Sequence, residues 1–257
     1  MKFYKLQGAG NDFVFVTEAF EPDEDRIVFL CDRNFGVGAD GVIMLSRGFA
    51  SYDFNMRYFN SDGSEASFCA NGGRCAVLLA HKLGYFKGKE TRFKAGDGFH
   101  TARLNSDGYI DLQMKEPDGF SKDIIIKGVE GKFYHLDTGV DHAVTFVKDA
   151  DKIDVEKTGR TVRYNSRFPN GTNVSFVQKN TDGTFNIRTY ERGVESETMA
   201  CGTGITASAY LDMLLTGDFS ERIFFTVRDI KMKVFVKDSK LMLSGPVELV
   251  FEGDIDI

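Results

Sequence analysis

Three things are scarce in this chain, and each scarcity closes off a class of protein. Cysteine is one: four in 257 residues are too few for a disulfide framework, so a reducing cytoplasm is the expected compartment. Cationic excess is another, since a formal net charge of −6 argues against nucleic acid or an anionic membrane as the main partner. Long apolar runs are the third, none approaching the ~20 residues that span a bilayer. Met1-Lys-Phe-Tyr-Lys5 leads into a polar, glycine-rich turn rather than a signal-like segment. With 4 prolines against 27 glycines, the tight turns fall to glycine. Apolar bulk is plentiful: 42% hydrophobic residues and 24 phenylalanines can fill sizeable cores, in one large domain or two of roughly 100–150 residues.

One stretch occurs twice. Ser67-Phe-Cys69-Ala-Asn71-Gly-Gly73-Arg-Cys75 runs into an apolar segment that ends before Gly84, and Met199-Ala-Cys201-Gly-Thr203-Gly-Ile205 does the same before Gly217. Each puts a cysteine just ahead of small, turn-forming residues and then a mostly apolar helix. A thiol at a helix N-terminus faces unpaired backbone N–H groups and the positive end of the dipole, and both favour thiolate over thiol.

The surroundings of the two cysteines recur with them. In the first half, strands are expected at 2–6 and 12–16, a short helix at 22–32, a glycine loop from Phe35 to Gly41, and strands at 42–45 and 52–59. Strand-rich sequence follows Gly84, and Glu116-Pro117-Asp-Gly119 is the best linker. The second half repeats the order: strands at 133–136 and 143–147 around the turn 137–142, a charged helix at 150–158, and the loop Phe168 to Asn173. Strands at 174–177 and 185–190 lead to Cys201 and its helix, and strands at 223–227, 233–236, 241–243 and 247–251 close the chain. Arg57-Tyr-Phe59-Asn60 and Arg188-Thr-Tyr190-Glu191 precede the two cysteines at nearly equal distances. The order predicts a duplicated α/β (α+β) unit in two pseudo-symmetric lobes: residues 1–116 carrying Cys69 and residues 117–246 carrying Cys201.

Two-fold pairing of such lobes would bring both helix N-termini to a cleft, with Cys69 and Cys201 facing each other. The backbone N–H groups of Ala70, Asn71, Gly202 and Thr203 would then offer a carboxylate site. A carboxylate held there sets its α-carbon between two sulfurs, so that one thiolate takes the α-proton while the opposite thiol delivers another. That is a two-base racemisation or epimerisation of a small amino acid. Nothing suggests a lysine-anchored pyridoxal site, and the glycine loops lack a P-loop lysine, so no cofactor and no metal is expected. One other reading stays open on the residues alone: a thiol-redox or small-ligand-binding protein that uses the cysteines without proton transfer.

The motifs carry a resemblance over nearly the whole chain. Gly8-Ala-Gly-Asn11-Asp-Phe13, Gly36-Val-Gly-Ala-Asp-Gly41, Phe59-Asn60-Ser-Asp-Gly-Ser-Glu65, Cys69-Ala-Asn-Gly-Gly-Arg-Cys75, Asn170-Gly-Thr-Asn173, Tyr190-Glu-Arg-Gly193 and Glu197-Thr-Met-Ala-Cys-Gly-Thr-Gly204 resemble the diaminopimelate epimerases. These belong to the cofactor-independent, two-cysteine superfamily that also holds proline racemase and the phenazine-pathway isomerases. The resemblance implies lobes in which a mixed, largely antiparallel sheet wraps a central helix, with residues 247–257 returning to the first lobe. It makes Cys69 and Cys201 the acid/base pair and puts Asn11 by the reacting centre. Asn60, Asn173, Glu191 and Arg192 would hold the distal amino-acid head, Arg192 on its carboxylate and Glu191 on its ammonium. His142 and Gly41 are further candidates for a site role, and a homodimer is the assembly the reading allows.

The chain departs from the family where Gly139-Val140-Asp141-His142 replaces the usual Gly-Asn-Pro-His, removing an amide and adding a carboxylate; Ala70 replaces a glycine, and Glu195-Ser-Glu197 the more familiar Ala-Gly-Glu. Val140 and Asp141 keep open an alternative within the resemblance, an amino-acid racemase of the same superfamily with another substrate such as histidine. Of the remaining residues, Cys31 and Cys75 are expected in the core. His81, His100 and His135 are expected at structural or surface positions, and Asp40 and Asp62 in turns. Arg192 could alternatively tie its loop to Glu191 or Glu195.

Overall fold

A computed structural model of the chain describes residues 1–17 and 21–256. The chain divides into two compact units, Met1–Gln113 with the C-terminal residues from Gly245 onward, and Met114–Ser244. Glu18, Ala19, Phe20 and Ile257, all assigned above to the first lobe, lie outside the described residues.

In the first unit, β1 (Lys2–Gly8), β2 (Asn11–Val16), α1 (Glu24–Cys31), β3 (Gly41–Arg47), β4 (Phe54–Asn60), β5 (Glu65–Ala66), α2 (Ala70–Lys82), β6 (Glu90–Ala95), β7 (Gly98–Leu104) and β8 (Tyr109–Gln113) follow in order. β1 and β2 pair antiparallel, β2 and β3 parallel, and β3 and β4 antiparallel. β4 and β6 then pair parallel, and β6, β7 and β8 antiparallel. The two parallel joints are those crossed by α1 and α2, because parallel neighbours need a crossover long enough to hold a helix. In β6, Thr91, Phe93 and Ala95 point inward and their neighbours outward, the period of a half-buried strand.

The second unit contains β9 (Asp118–Ile124), β10 (Phe133–Asp137), β11 (Asp141–Val147), α3 (Val155–Arg163), β12 (Asn173–Lys179), β13 (Phe185–Glu191), β14 (Ser196–Thr198), α4 (Gly202–Thr216), β15 (Arg222–Phe225) and β16 (Lys231–Lys237). The long β17 (Lys240–Asp254) closes the chain. The pairings repeat: β10 and β11 antiparallel, β11 and β12 parallel, β12 and β13 antiparallel, β13 and β15 parallel, then β15, β16 and β17 antiparallel. β9 lies antiparallel to β10. In the same way, Val247–Asp254 of β17 lie antiparallel to β1, with a bulge between Lys5 and Leu6.

Each unit's core follows from its helices. α2 packs on β1, β2, β3, β4, β7 and β8, and is buried at every position from Ala70 to Val77. A helix covered on all sides is largely apolar or small, which the glycines and alanines of both cysteine helices provide, with Asn71 and Arg74 in α2 and Asp212 in α4 as buried polar exceptions. α4 packs on β10, β11, β12 and β16. The smaller helices cover the other sheet faces: α1 closes a core of Phe3, Val14, Val16, Ile27, Leu30, Val42 and Phe59. α3 closes one of Phe133, Ala143, Val155, Val162, Phe168, Val174, Phe176 and Tyr190. Among the described residues no helix is long and apolar enough to cross a membrane.

Four details differ from the sequence expectations. The helix expected at 150–158 runs instead over Val155–Arg163. Asp154 caps it by accepting from the Lys157 N–H at 3.0 Å, while the Ala150 N–H goes to Gln178 Oε1 at 2.8 Å, so residues before Asp154 are held as turn. The expected linker at 116–119 already enters β9, whose backbone is claimed by β10. The turn at 137–142 is shorter than expected, and His142 lies within β11. The last two expected strands are one continuous strand, β17.

A charge cluster anchors the head of the first unit. Asp12 receives Lys5 Nζ at 2.7 Å and both Arg33 Nη atoms at 3.0 and 2.8 Å, and Arg33 also reaches Asp40 at 2.8 Å. Burial alone would raise the Asp12 carboxyl, but the hydrogen bonds and charges of Arg33 and Lys5 outweigh it and bring the pKa down to about 2. A depressed carboxylate stabilises the fold above its unfolded pKa and loses that contribution as pH falls through the folded value. Chemical denaturation should therefore show Asp12→Asn less stable than the unsubstituted chain by about 2 kcal/mol at neutral pH. The gap should close as pH falls from about 4 to about 2.

Candidate active site

Both sequence-predicted cysteines occupy the same structural position. Cys69 is the N-cap of α2 and Cys201 the N-cap of α4, each with extended backbone. An N-cap side chain stands beside the first-turn N–H groups that have no helical acceptor. A helix that is small and buried at its start lets the sheet close over it, which is why both motifs put Ala or Gly directly after the cysteine.

In the first unit Cys69 belongs to a string of polar contacts. Its Sγ donates to Asn11 Oδ1 at 3.7 Å, and the same oxygen accepts from Asn71 Nδ2 at 3.3 Å. Asn71 Oδ1 in turn accepts from Arg74 Nη2 at 2.7 Å, and Asn11 Nδ2 donates to Asp40 Oδ2 at 2.7 Å. The two amides are thus oriented by a guanidinium at one end and a carboxylate at the other. Asp40, expected in a turn role alone, fixes Asn11 as well. Asn60 ends β4, donating to Ser64 Oγ at 3.1 Å, and pairs in register with Gly41. A Cβ on Gly41 would meet Phe59 O at 2.5 Å and Tyr58 Cε2 at 2.6 Å, so that glycine serves the close approach of β3 to β4.

Arg74 is the residue that sequence reasoning passed over, although it stands inside the cysteine motif. It is fully buried, with its Nε lacking a hydrogen-bond partner. Nη1 donates to Ala70 O at 3.3 Å. Burial pulls its pKa down to about 10, partly offset by the thiols of Cys75 and Cys69, and it stays cationic at neutral pH. An arginine amid the small and apolar residues of a buried helix was the available signal.

In the second unit, Cys201 Sγ lies 3.4 Å from Thr203 Oγ1, which is 3.0 Å from His142 Nε2. His142 is wholly buried on β11, and burial holds its pKa down to about 3, so it is a neutral imidazole. Its Nδ1 has no partner; the tautomer with the proton on Nε2 places that proton where an acceptor exists. Gly204 allows this cluster to form, because a Cβ there would stand 2.9 Å from Ser175 Oγ and 3.2 Å from His142 Cε1. Asn173 pairs in register with His142, and its Oδ1 accepts from the Arg192 N–H at 2.7 Å. The Arg192 guanidinium donates to Asn170 O at 3.1 Å and lies 4.0 Å from Asp141. Glu191 accepts a short hydrogen bond from Thr198 Oγ1. Glu195 pairs with Arg163 at 3.0 Å, so this acidic departure from the family pattern is engaged away from Arg192, and Glu197, where the family also has glutamate, pairs with Arg188 at 2.6 Å. Asp141 accepts from His135 Nε2 at 2.8 Å.

None of the four cysteines forms a disulfide, and Cys31 and Cys75 are buried as expected. Among the described residues no three His, Cys, Asp or Glu side chains converge as metal ligands. His100 is stacked on Phe68 at 4.0 Å and bonded to Asp97 at 2.7 Å, and His135 bonds Gly119 O at 3.1 Å; both are structural.

The same order of strand pairings in each unit, around a helix capped by a thiol, defines the epimerase and racemase fold class. The fold is shared with a phenazine biosynthesis protein of the PhzF family from Bacillus anthracis, at TM-score 0.76 and 18% identity over 100% of this chain and 99% of that one. It is also shared with a probable proline racemase from Agrobacterium radiobacter, at TM-score 0.78 and 12% identity over 100% and 93%. The family model described as diaminopimelate epimerase matches residues 3–118 and 134–250. Relatives named diaminopimelate epimerase include one from Flavobacterium psychrophilum, 40% identical over 99% of this chain and 100% of its own length. Another, from Aquifex aeolicus, is 39% identical over 98% and 97%. The chain belongs to the diaminopimelate epimerase family.

Burial pushes Cys31 up to about 11 and Cys75 higher still, so both should resist thiol reagents in the native protein and react after denaturation. Peptide mapping of iodoacetamide adducts checks this. The His142 ring should also give the NMR signature of a neutral imidazole from pH 8 down to pH ~5, well above its depressed pKa.

Proposed function

We propose that this chain is a cofactor-independent epimerase that interconverts LL- and meso-2,6-diaminopimelate, acting in the cytoplasm in the supply of lysine and peptidoglycan precursors. The observation that carries the reading is a cysteine at the N-cap of a buried helix in each unit. The family match across both halves supports it.

In this reaction Cys69 and Cys201 are the acid/base pair. The thiolate of one removes the α-proton, the electron pair passes into the α-carboxylate as an enediolate, and the thiol of the other returns a proton to the opposite face. The enzyme then holds the pair with protonation exchanged, ready for the reverse direction. The first-turn N–H groups at Ala70, Asn71, Gly202 and Thr203 are the donors for the carboxylate on which charge develops. Asn11, oriented by Asp40, lies at the sulfur of Cys69. Asn60, Asn173, Glu191 and Arg192 bind the distal head, Arg192 its carboxylate and Glu191 its ammonium. His142, kept neutral, holds Thr203 beside Cys201.

A second reading has one observation in its favour. Asp141 stands where the family carries proline, bonded to His135 and 4.0 Å from Arg192, and Val140 supplies no amide. A racemase for another amino acid, such as histidine, would use the same two thiols with a different far end.

Incubation with LL-diaminopimelate in deuterium oxide should place deuterium at the reacting α-carbon and form the meso isomer. No uptake, with the thiols confirmed reduced, would remove the epimerase reading, and uptake from another amino acid in a parallel chiral panel would favour the second. Cys69→Ser and Cys201→Ser should each lower turnover by roughly 10²-fold or more with circular dichroism unchanged. Retained turnover in either variant would end the two-base assignment.

A further inference from the structure

We infer that Arg74 and Asp40 are positioning residues that fix the side-chain amides of Asn71 and Asn11, so that Asn11 turns its carbonyl oxygen, and not its NH2, to the Cys69 sulfur. The inference rests on the reading of Cys69 as a proton-transfer residue and assigns what Asn11 presents to it.

A carboxamide carries an acceptor at one end and a donor at the other in nearly the same shape, so half a turn exchanges them at little steric cost. The hydrogen bonds decide which end faces a given neighbour. A guanidinium can only donate and an ionised carboxylate can only accept, and the two amides lie in series between one of each. Arg74 Nη2 donates to Asn71 Oδ1 at 2.7 Å, Asn71 Nδ2 to Asn11 Oδ1 at 3.3 Å, and Asn11 Nδ2 to Asp40 Oδ2 at 2.7 Å. Turning either amide alone sets like against like at both of its links. Turning both does so at the two ends, where the partners are charged. Only the observed combination pairs every link.

Both ends are themselves held. Arg74 is fully buried in α2, and its Nη1 donates to Ala70 O at 3.3 Å. Asp40 accepts from Arg33 Nη2 at 2.8 Å and from the Asp12 N–H at 3.2 Å, and its own N–H reaches Asp12 Oδ1 at 3.1 Å.

The oxygen that this relay leaves at the sulfur, Asn11 Oδ1, lies 3.7 Å from Cys69 Sγ. An oxygen there accepts from the thiol and has nothing to give the thiolate. An NH2 in its place would hydrogen-bond the thiolate and weaken it as a base. The relay thus gives the S–H a defined acceptor when Cys69 carries the proton, and withholds the Asn11 donor when the thiolate has to take the α-proton.

A double-mutant cycle isolates the amide. Arg74→Met removes the donor-only end, and Asp40→Asn gives the other end an NH2, because Arg33 requires an oxygen at the position of Oδ1. Each single variant keeps one charged end, which outweighs a neutral amide bond, so Asn11 stays as it is. Together the substitutions turn both amides and put the Asn11 NH2 at the sulfur. Their charge changes have opposite sign, and influences on Cys69 common to all four proteins cancel from the cycle. Iodoacetamide alkylation at neutral pH, resolved by site through peptide mass spectrometry, should be about tenfold faster at Cys69 in the double variant than the product of the single effects. Cys201 should show no such excess. A double-variant rate equal to that product overturns the inference, as does an equal excess at both cysteines. Overhauser contacts in the unsubstituted protein decide independently, and alone if the double variant does not fold. The Asn11 NH2 should contact the Asp12 N–H, its fellow donor on Asp40 Oδ2, more strongly than the Cys69 β-protons; the reverse order overturns the inference. Neither measurement involves turnover, so a failed epimerase reading would show in the deuterium experiment and not here.

Discussion

A helix buried on every side must still leave its first-turn N–H groups facing something polar, and both units are built around that constraint. The strands can close around α2 and α4 because their first turns are rich in glycine, alanine and other small residues. The wrap cannot close over the N-terminus without stranding donors, each costly to bury unpaired. At each N-terminus, where the backbone offers several donors in parallel, the chain puts a thiol. The reactive group and the anion-favouring end of the helix thus coincide in both units.

Around this shared plan the two units diverge in charge. The first surrounds its cysteine with permanent charges: Arg74 from within the helix, and Asp40, Arg33, Asp12 and Lys5 from the strands and loops at its head. The second uses a neutral imidazole and hydroxyls at Cys201, and keeps its ion pairs elsewhere: Arg222 and Lys179 on Asp212 of α4, Arg163 on Glu195, Arg188 on Glu197. Duplication supplied the same backbone twice, and the side chains placed beside the two cysteines differ.

Much of this was legible in the chain itself. Duplicated cysteine motifs, the alternation of strands and the small residues after each cysteine predicted the repeated sheets and the two N-capping thiols, because these depend on local periodicity and on contacts within a few residues. Boundaries were less legible where a distant partner decides them. The start of α3 depends on Gln178 taking the Ala150 N–H, and β9 exists because β10 offers it an edge. His142 read as a turn residue because glycine and aspartate precede it, yet pairing with β12 draws it into a strand.

The sequence by itself determined the class of chemistry: two cysteines, each before a small-residue helix, and an acidic chain without the marks of a nucleic-acid or membrane protein. Only the tertiary structure decided what each sulfur faces. Arg74 passed as an ordinary member of a helix motif until its complete burial was visible, and Asp40 as a turn former until Asn11 was found against it. Whether a polar side chain is solvated or buried depends on which strands close over it from elsewhere in the chain, and no local pattern of residues carries that information.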